Sequence, residues 1–307
     1  MRREVVQDVH VTDIGRPAGT DPDYPAGSPP PDLPDLPALR SLAERVALAA
    51  GTLIREGRPS RVEVSGTKSS PIDVVTVMDL ASEALLRREI LADRPDDGVL
   101  GEEEGHVTGT SGLTWVIDPI DGTVNYLYGI PAYAVSVAVV AGPPNPQEWT
   151  VLAGCVHAVA DGRSWSAQRG GGAVQDGVPI RVNPPRPLAE SLVGTGFGYR
   201  TERRRGQARV VAALLPEVRD IRRMGSAALD LCAVASGSLD VFYERGLQPW
   251  DLAAGSLIAN EAGATVSGLR GCRADEEMTV AGPEPVVAAL VRRLEQLVAD
   301  EDVDQVR

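Results

Sequence analysis

Asp118 and Asp121 stand three residues apart in WVIDPIDGTVN, the stretch from Trp115 to Asn125, with Pro119 and Gly122 interleaved. An apolar run that stops at D-P-I-D-G-T reads as a buried strand leaving its sheet for a turn. That turn gathers two carboxylates, a glycine and the hydroxyl of Thr123. Carboxylate oxygens in pairs are what hard divalent cations such as Mg²⁺ bind. A bare DxxD is more often an incidental polar turn. Three further segments decide against that here. They are Lys68-Ser-Ser-Pro-Ile-Asp73-Val-Val-Thr76-Val-Met-Asp79, Gly101-Glu102-Glu103 and Pro249-Trp250-Asp251.

The elements that must position these residues alternate irregularly between helix and strand. Leu42, Val46, Ala49, Ala50 and Leu53 recur at helical spacing, and Gly57 then Pro59 close that segment. RVEVSG and Val74 to Val77 read as short strands, and Asp79 or Ser82 as the cap of a helix carrying Leu85, Leu86, Ile90 and Leu91. VLGEEEG gives a strand and an acidic loop. AYAVSVAVVAG, WTVLAGCVHAVA, LVGTGFGY and LDVFYERG read as strands, and RGGGAVQDGVPIRV as a hairpin with glycine turns. Helices follow over 203–215, in MGSAALDLCAVASG, in QPWDLAAGSLIANEAG up to Gly263, and over 284–299. Layered α and β is the fold class. Residues 1–37, with SPPPDLPDLP, bury too little to offset their ordering entropy and read as a disordered tail.

The 307 residues suffice for one large domain, and 43% apolar content fits a packed core. Aromatics are 4%, so that core is aliphatic. A net charge of −13 and a pI near 4.8 argue against a nucleic-acid binder working by bulk electrostatics. An anionic substrate needs metals or local donors to reverse that field. Cys155, Cys232 and Cys272 show neither metal spacing nor a disulfide framework, so a reducing cytoplasm is expected. No stretch is apolar enough to span a membrane, and the N-terminus lacks a signal-peptide core. Lys68 is the only lysine.

The four acidic segments, in this order, resemble the inositol monophosphatase family from about Leu39 to the C-terminus. VGTGFGY and RRMGSAALDLC resemble its bacterial extragenic-suppressor branch. The resemblance implies a layered αβαβα sandwich of the sugar-phosphatase type, with a phosphatase domain over 38–307. Its metal half would span about 38–190 and its pocket half about 191–307. Glu102, Asp118 and the carbonyl of Ile120 would hold one Mg²⁺, and Asp118, Asp121 and Asp251 a second. A third, looser ion would sit near Glu102, reached by Asp79 through water. Thr123 with Glu102, and Asp79 behind them, would activate the attacking water, with Asp73 in support. Lys68 would counter phosphate charge. The amides of Gly122 and Thr123 would receive phosphate oxygens. Gly225, Ser226, Ala227 and Glu244 would line the polyol pocket with Asp121 and Asp251, bordered by Gly196 and Phe197. The physics agrees, because two ions about 4 Å apart can neutralise both the phosphoryl oxygens and the leaving alkoxide.

The resemblance also implies a homodimer, sensitivity to Li⁺, and myo-inositol 1-phosphate or a related polyol phosphate as substrate. Asn125 and Glu244 favour inositol phosphate over fructose 1,6-bisphosphate, histidinol phosphate, 3′-phosphoadenosine 5′-phosphate or NADP. A non-catalytic role with the transcription machinery is the alternative from another class, with arginines at 203–205 and 222–223 as its surface. Val124 replaces a common threonine and Glu104 adds a third consecutive acid. His10, His106 and His157 lack ligand spacing, and Ser164 and Ser191 lack a partner set for nucleophilic catalysis. Gly170–Gly172 does not open a helix as a phosphate-binding loop must. Trp165 and Trp250 read as packing residues.

Overall fold

A computed structural model describes residues 34–59, 61–68 and 74–302 of the protein. The expectation of a tail over 1–37 and the role given to Asp73 fall mostly or wholly outside these residues. Helix α1 (Leu36–Gly57) starts where the Asp35 carboxylate accepts the Ala38 N–H at 3.1 Å. It buries Leu39, Leu42, Val46, Ala50 and Ile54, so the apolar stripe ends on Ile54 and not on Leu53. The strands β1 (Val64–Thr67) and β2 (Val74–Thr76) form an antiparallel pair leading into α2 (Val77–Asp93). The cap of α2 is Thr76, not Asp79 or Ser82. Thr76 Oγ1 accepts from the amides of Met78 and Asp79, while the Asp79 carboxylate accepts the Thr76 N–H at 2.8 Å. Asp79 therefore closes a capping box from the third helical position.

Next come β3 (Gly98–Gly101), β4 (Gly105–Val107), β5 (Leu113–Asp121), α3 (Thr123–Tyr128), β6 (Ala134–Ala141) and β7 (Thr150–Ala158). Then follow β8 (Ser164–Gln168), β9 (Ala173–Gln175), β10 (Val178–Pro179), β11 (Leu192–Thr195), α4 (Thr201–Leu214) and β12 (Asp220–Arg222). The chain ends with α5 (Ala227–Ala235), β13 (Val241–Glu244), α6 (Pro249–Glu261), β14 (Thr265–Ser267), β15 (Thr279–Gly282) and α7 (Glu284–Gln296). An eight-stranded sheet runs β10-β9-β8-β7-β6-β5-β3-β4, and a five-stranded sheet runs β12-β11-β13-β15-β14.

Side-chain alternation in the large sheet sets the layers. Val135, Val137 and Val139 of β6 pack with α1 and α2, while Ala134, Ala138 and Val140 face α5 and α6. Helices α5 and α6 share that core with Phe242 and Ala281 of the small sheet. Val193, Val241 and Val280 on its other face pack against α4 and α7. The order is therefore helix, sheet, helix, sheet, helix, the expected αβαβα sandwich. Because α5 and α6 are covered on both sides, their surfaces are almost wholly apolar or small. Among the described residues, no helix is long and apolar enough to cross a membrane.

Candidate active site

The D-P-I-D motif is not a turn beyond the strand. Asp118 to Asp121 complete β5, and pairing with β6 shifts register between the two aspartates. The shift frees Asp118 Oδ1 to accept the Ile120 N–H at 3.0 Å. Gly122 follows at φ 97°, a left-handed turn in which a Cβ would press on the Ala132 carbonyl at 2.9 Å. It launches α3, only six residues long. Thr123 Oγ1 lies 3.0 Å from both Asp79 Oδ1 and the Ile120 carbonyl.

Two helix starts from the middle layer complete the acid cluster. Asp121 Oδ2 accepts from the Ser226 hydroxyl and the Ala228 amide, each at 2.7 Å, where α5 begins. Asp251 Oδ2 accepts the Gln248 N–H at 2.7 Å in the capping box of α6. Carboxylate oxygens of Asp118, Asp121 and Asp251 lie within 4.8 Å of one another. Glu102 stands outside that triad, and the Lys68 ammonium reaches Glu102 and Glu103 at 2.6 Å each.

A cavity of about 370 Å³ opens over these groups. Of the residues read from the sequence, Lys68, Glu102, Asp118, Ile120, Asp121, Gly122, Thr123, Gly196, Phe197, Gly225, Ala227, Glu244 and Asp251 line it. Asp79 and Ser226 sit behind, buried against Thr123 and Asp121. Asn125 does not line it. It is buried, and its amide donates to the carbonyls of Ala132 and Met224 at 2.7 and 2.8 Å, so it ties α3 to the segment before α5. His157 is buried on Ser164 at 2.8 Å, and Trp165 packs as expected, whereas Trp250 also borders the cavity.

Crowded, buried acids resist ionisation. Burial, then repulsion from Glu102, Asp121 and Asp251, raises the Asp118 pKa well above the carboxylate range. Asp251 is raised by burial and by Asp121 and Glu102. Burial lifts Asp121 to about 6 against the pull of Ser226, and Glu102 to about 7 against that of Lys68. Glu244 is pushed to about 8 by burial and by Asp230. Burial opposes charge on Lys68, but Glu102 and Glu103 more than offset it and raise its pKa. Nearly all the free donors are oxygens of carboxylates, the set that suits a hard divalent cation.

Sequence reasoning missed one anchor of this site. Glu83 of α2 is fully buried and accepts from the amides of Glu103 and Glu104 at 2.8 and 2.9 Å. Arg87, one helical turn on, donates to it through Nε and Nη2 at 2.9 and 2.7 Å. The Glu83 carboxylate fills the space that a Cβ on Gly101 would need. The acidic loop bearing Glu102 is thus held from beneath. Its sequence signal was an i, i+4 acid–base pair on a helix that faces the core. The arginines at 200, 203, 223 and 245 also border the cavity, and of these Arg203 and Arg223 belong to the stretches that the sequence offered as an interaction surface.

The sequence profile of the Inositol monophosphatase family matches residues 35–304. The chain belongs to this family. "Inositol-1-monophosphatase SuhB" of Mycobacterium tuberculosis is 47% identical over 249 residues, which are 74% of this chain and 83% of that protein. "Nus factor SuhB" of Vibrio cholerae is 36% identical over 235 residues, 76% of this chain and 86% of that protein. The structure of extragenic suppressor protein suhB from Bartonella henselae superposes with a TM-score of 0.77 at 31% identity, covering 84% of this chain and 99% of that one. As an inositol monophosphatase family member the protein is a phosphatase, of a metal-dependent kind that acts on phosphorylated substrates.

Proposed function

We propose that this phosphatase is Mg²⁺-dependent and hydrolyses myo-inositol 1-phosphate, or a closely related polyol phosphate, to the free polyol and phosphate. The observation that carries this reading is the meeting of Asp118, Asp121 and Asp251 within 4.8 Å on the floor of a cavity that Glu102 and Thr123 also line. Asp118, Asp121, Asp251, Glu102 and the Ile120 carbonyl would hold two ions, and a third would sit near Glu102. Bound there, divalent cations neutralise the phosphoryl oxygens and the departing alkoxide.

The chain's own groups do the rest. Thr123 Oγ1 can give its single proton to Asp79 or to the Ile120 carbonyl, and its lone pairs remain to accept from the attacking water. Glu102, which lines the cavity with Thr123, would take that water's proton. The water oxygen bonds to phosphorus, the ester P–O bond breaks, and the released alkoxide takes a proton. Lys68 balances charge on the phosphate, and the amides of Gly122 and Thr123 receive its oxygens. Glu244 can accept from two neighbouring hydroxyls of a polyol, with Gly225, Ser226 and Ala227 shaping that wall.

The chain acts from residue 38 as one phosphatase domain, as a homodimer in the cytoplasm, and Li⁺ inhibits it by replacing a loosely held Mg²⁺. Phosphate release from myo-inositol 1-phosphate, fructose 1,6-bisphosphate, histidinol phosphate and NADP tests this. Mg²⁺-dependent, Li⁺-inhibited turnover that favours inositol phosphate supports it, and turnover of the inositol ester without added or bound metal refutes it. A second reading, a role beside catalysis in transcription, rests on the name "Nus factor" borne by the Vibrio cholerae relative. Retention of RNA polymerase complexes by the Asp118→Asn protein would separate it from phosphatase activity.

A further inference from the structure

Strands β11 and β13 run parallel, and their register ends with Thr195 opposite Tyr243. Both chains continue along the cavity: residues 196–200 after β11 and residues 244–248 from the end of β13 line it. Beyond the ladder a side chain joins the two segments. Gln207 Oε1 of α4 accepts the Gly198 N–H at 3.0 Å, and its Nε2 donates to the Arg245 carbonyl at 3.2 Å. Arg203, one turn earlier on α4, runs past both segments where each has a glycine. A Cβ on Gly198 would meet its Cδ at 3.0 Å, and one on Gly246 its Nη1 at 2.5 Å.

Packing alone does not call for Gln207. With Gly206, Val210 and Leu214 it makes the buried stripe of α4, and Val210 and Leu214 share an aliphatic core with Val193 and Val241. An apolar side chain would suit that stripe, and a buried amide costs stability unless its donor and acceptor both find partners. Here each finds one, and the partners lie on different segments. A neutral amide supplies that acceptor and that donor together.

The two bonds hold the spacing around Glu244. Gly196 faces the Glu244 carboxylate so closely that a Cβ there would overlap it. Phe197, in the same segment, carries the Arg223 guanidinium over its ring, and Arg223 in turn lies where a Cβ on Gly225 would be. Parting 196–200 from 244–248 would therefore misplace Glu244 and the Gly225 side of the wall together. The acid cluster is secured otherwise. Asp118 and Asp121 take bonds from Ile120, Ser226 and Ala228, and Asp251 stays bound to Gln248 inside the capping box of α6. We propose that Gln207, standing behind the cavity wall, is a positioning residue that determines which phosphate esters are accepted by their alcohol portion. It keeps Glu244 aimed at the hydroxyls and leaves the cleavage step alone. The inference rests on the phosphatase reading and adds to it the residue that fixes the polyol wall.

The test compares myo-inositol 1-phosphate with p-nitrophenyl phosphate, whose alcohol portion offers Glu244 no hydroxyl, under Mg²⁺. Wild type, Gln207→Met, Gln207→Glu and Val210→Ala are measured. Gln207→Met should raise KM for the inositol ester roughly tenfold, the scale of one hydrogen bond to a charged group, with kcat little changed and both constants for the aryl ester unmoved. Gln207→Glu, which keeps an acceptor for Gly198 and loses the donor to Arg245, should show a smaller rise. Val210→Ala, which opens the same core without cutting either bond, should lower Tm and leave both KM values alone. An equal fall on both esters in Gln207→Met, a fall in kcat alone, or no change at all overturns the positioning role. No turnover of either ester by wild type overturns the phosphatase reading instead, and turnover of the aryl ester alone overturns the choice of polyol. Amide hydrogen exchange then decides the role of Gln207 separately. Relative to the rest of the chain, exchange over 196–200 and 244–248 must quicken in Gln207→Met and not in Val210→Ala, and unchanged exchange there overturns the inference.

Discussion

The acid cluster of the cavity is built from carboxylates fixed by main-chain amides, whereas the arginines that line the same cavity reach it on long side chains. Asp118 is held by the Ile120 N–H, Asp121 by Ala228 and Asp251 by Gln248. Each of those bonds also shapes a strand end or a helix start, so the charge cluster and the fold are one construction. Among the described residues, the side chains of Arg200 and Arg223 have no main-chain bond of this kind. What differs is tolerance: the cluster cannot move without disturbing the sandwich, and these arginines can be altered with little strain. Folding against such repulsion means that the acid cluster costs stability until cations fill it.

Replacing Asp118 by Asn is the hardest blow to the acid cluster. Turnover should fall about 10²–10³-fold, the range for losing one charge-stabilising group. The amide oxygen can still accept from Ile120, and one repelling charge is gone. In chelator the variant should therefore melt higher than wild type, while its Tm gain on adding Mg²⁺ shrinks. A lower Tm in chelator would mean that the cluster is not repulsive as described.

Glu83→Gln should move stability the other way, although Glu83 is also a buried acid beside the same loop. Its charge is matched by Arg87 at 2.7 Å and by two amides, so removing it strands a cation. The expected loss is about 3 kcal/mol, the low end for breaking a buried pair, because Glu104 remains 3.4 Å from Arg87. Turnover should drop about 10–100-fold through the misplaced Glu102, as for other outer supports of a metal site. Higher Mg²⁺ should recover part of that loss. Unchanged Mg²⁺ dependence would assign Glu83 to stability alone.

The contrast between the cluster and the arginines also explains what could be read in advance. Asp118, Asp121 and Thr123 are neighbours in sequence, and β5 brings them to one place without help from the rest of the chain. Asp251 and Ser226 start helices, where acids and hydroxyls leave a recognisable mark. The cap of α2 was misread because Thr76 and Asp79 share the task, and the sequence offers both at the right spacing. Asn125 counted only towards the choice of substrate, and its structural part was hidden because its carbonyl partners, Ala132 and Met224, belong to other segments. Arg200, Arg223 and Glu244 were least legible. They come from three loops or strand ends of the small sheet, and no local pattern says that they face one cavity.

In the wall that carries Glu244, Gly196 faces its carboxylate so closely that a Cβ there would overlap it. Gly196→Ala should push Glu244 aside and raise KM about tenfold, ~1.4 kcal/mol, with kcat little changed. A fall in kcat with KM unchanged would instead tie Glu244 to the chemical step and blur the contrast with the cluster.

The mildest effect, and the one that sets the cluster against Glu244 directly, is the pH dependence of melting. Unfolded carboxyls titrate near 4. In the folded, metal-free protein Asp121, Glu102 and Glu244 titrate near 6, 7 and 8. Between pH 4 and 8 the folded state therefore holds more protons than the unfolded state, and stability falls as pH rises. His157 opposes this, since burial lowers its pKa and folding gains stability as pH rises towards about 6.5. From pH 7 to 8 its influence has faded, and Glu102, Glu244 and the more strongly raised Asp118, Asp251 and Asp230 are the groups that hold protons in the folded state alone. With chelator, Tm should drop by at least a few degrees over that interval, as expected for a change of about 1 kcal/mol or more in a protein of this size. With saturating Mg²⁺ the part due to Glu102, Asp118 and Asp251 should vanish, because cations displace their protons. The part due to Glu244 and Asp230 should persist, because neither is among the proposed metal ligands. A chelator slope of zero would remove the repulsion argument, and a slope untouched by Mg²⁺ would place the cations away from Glu102.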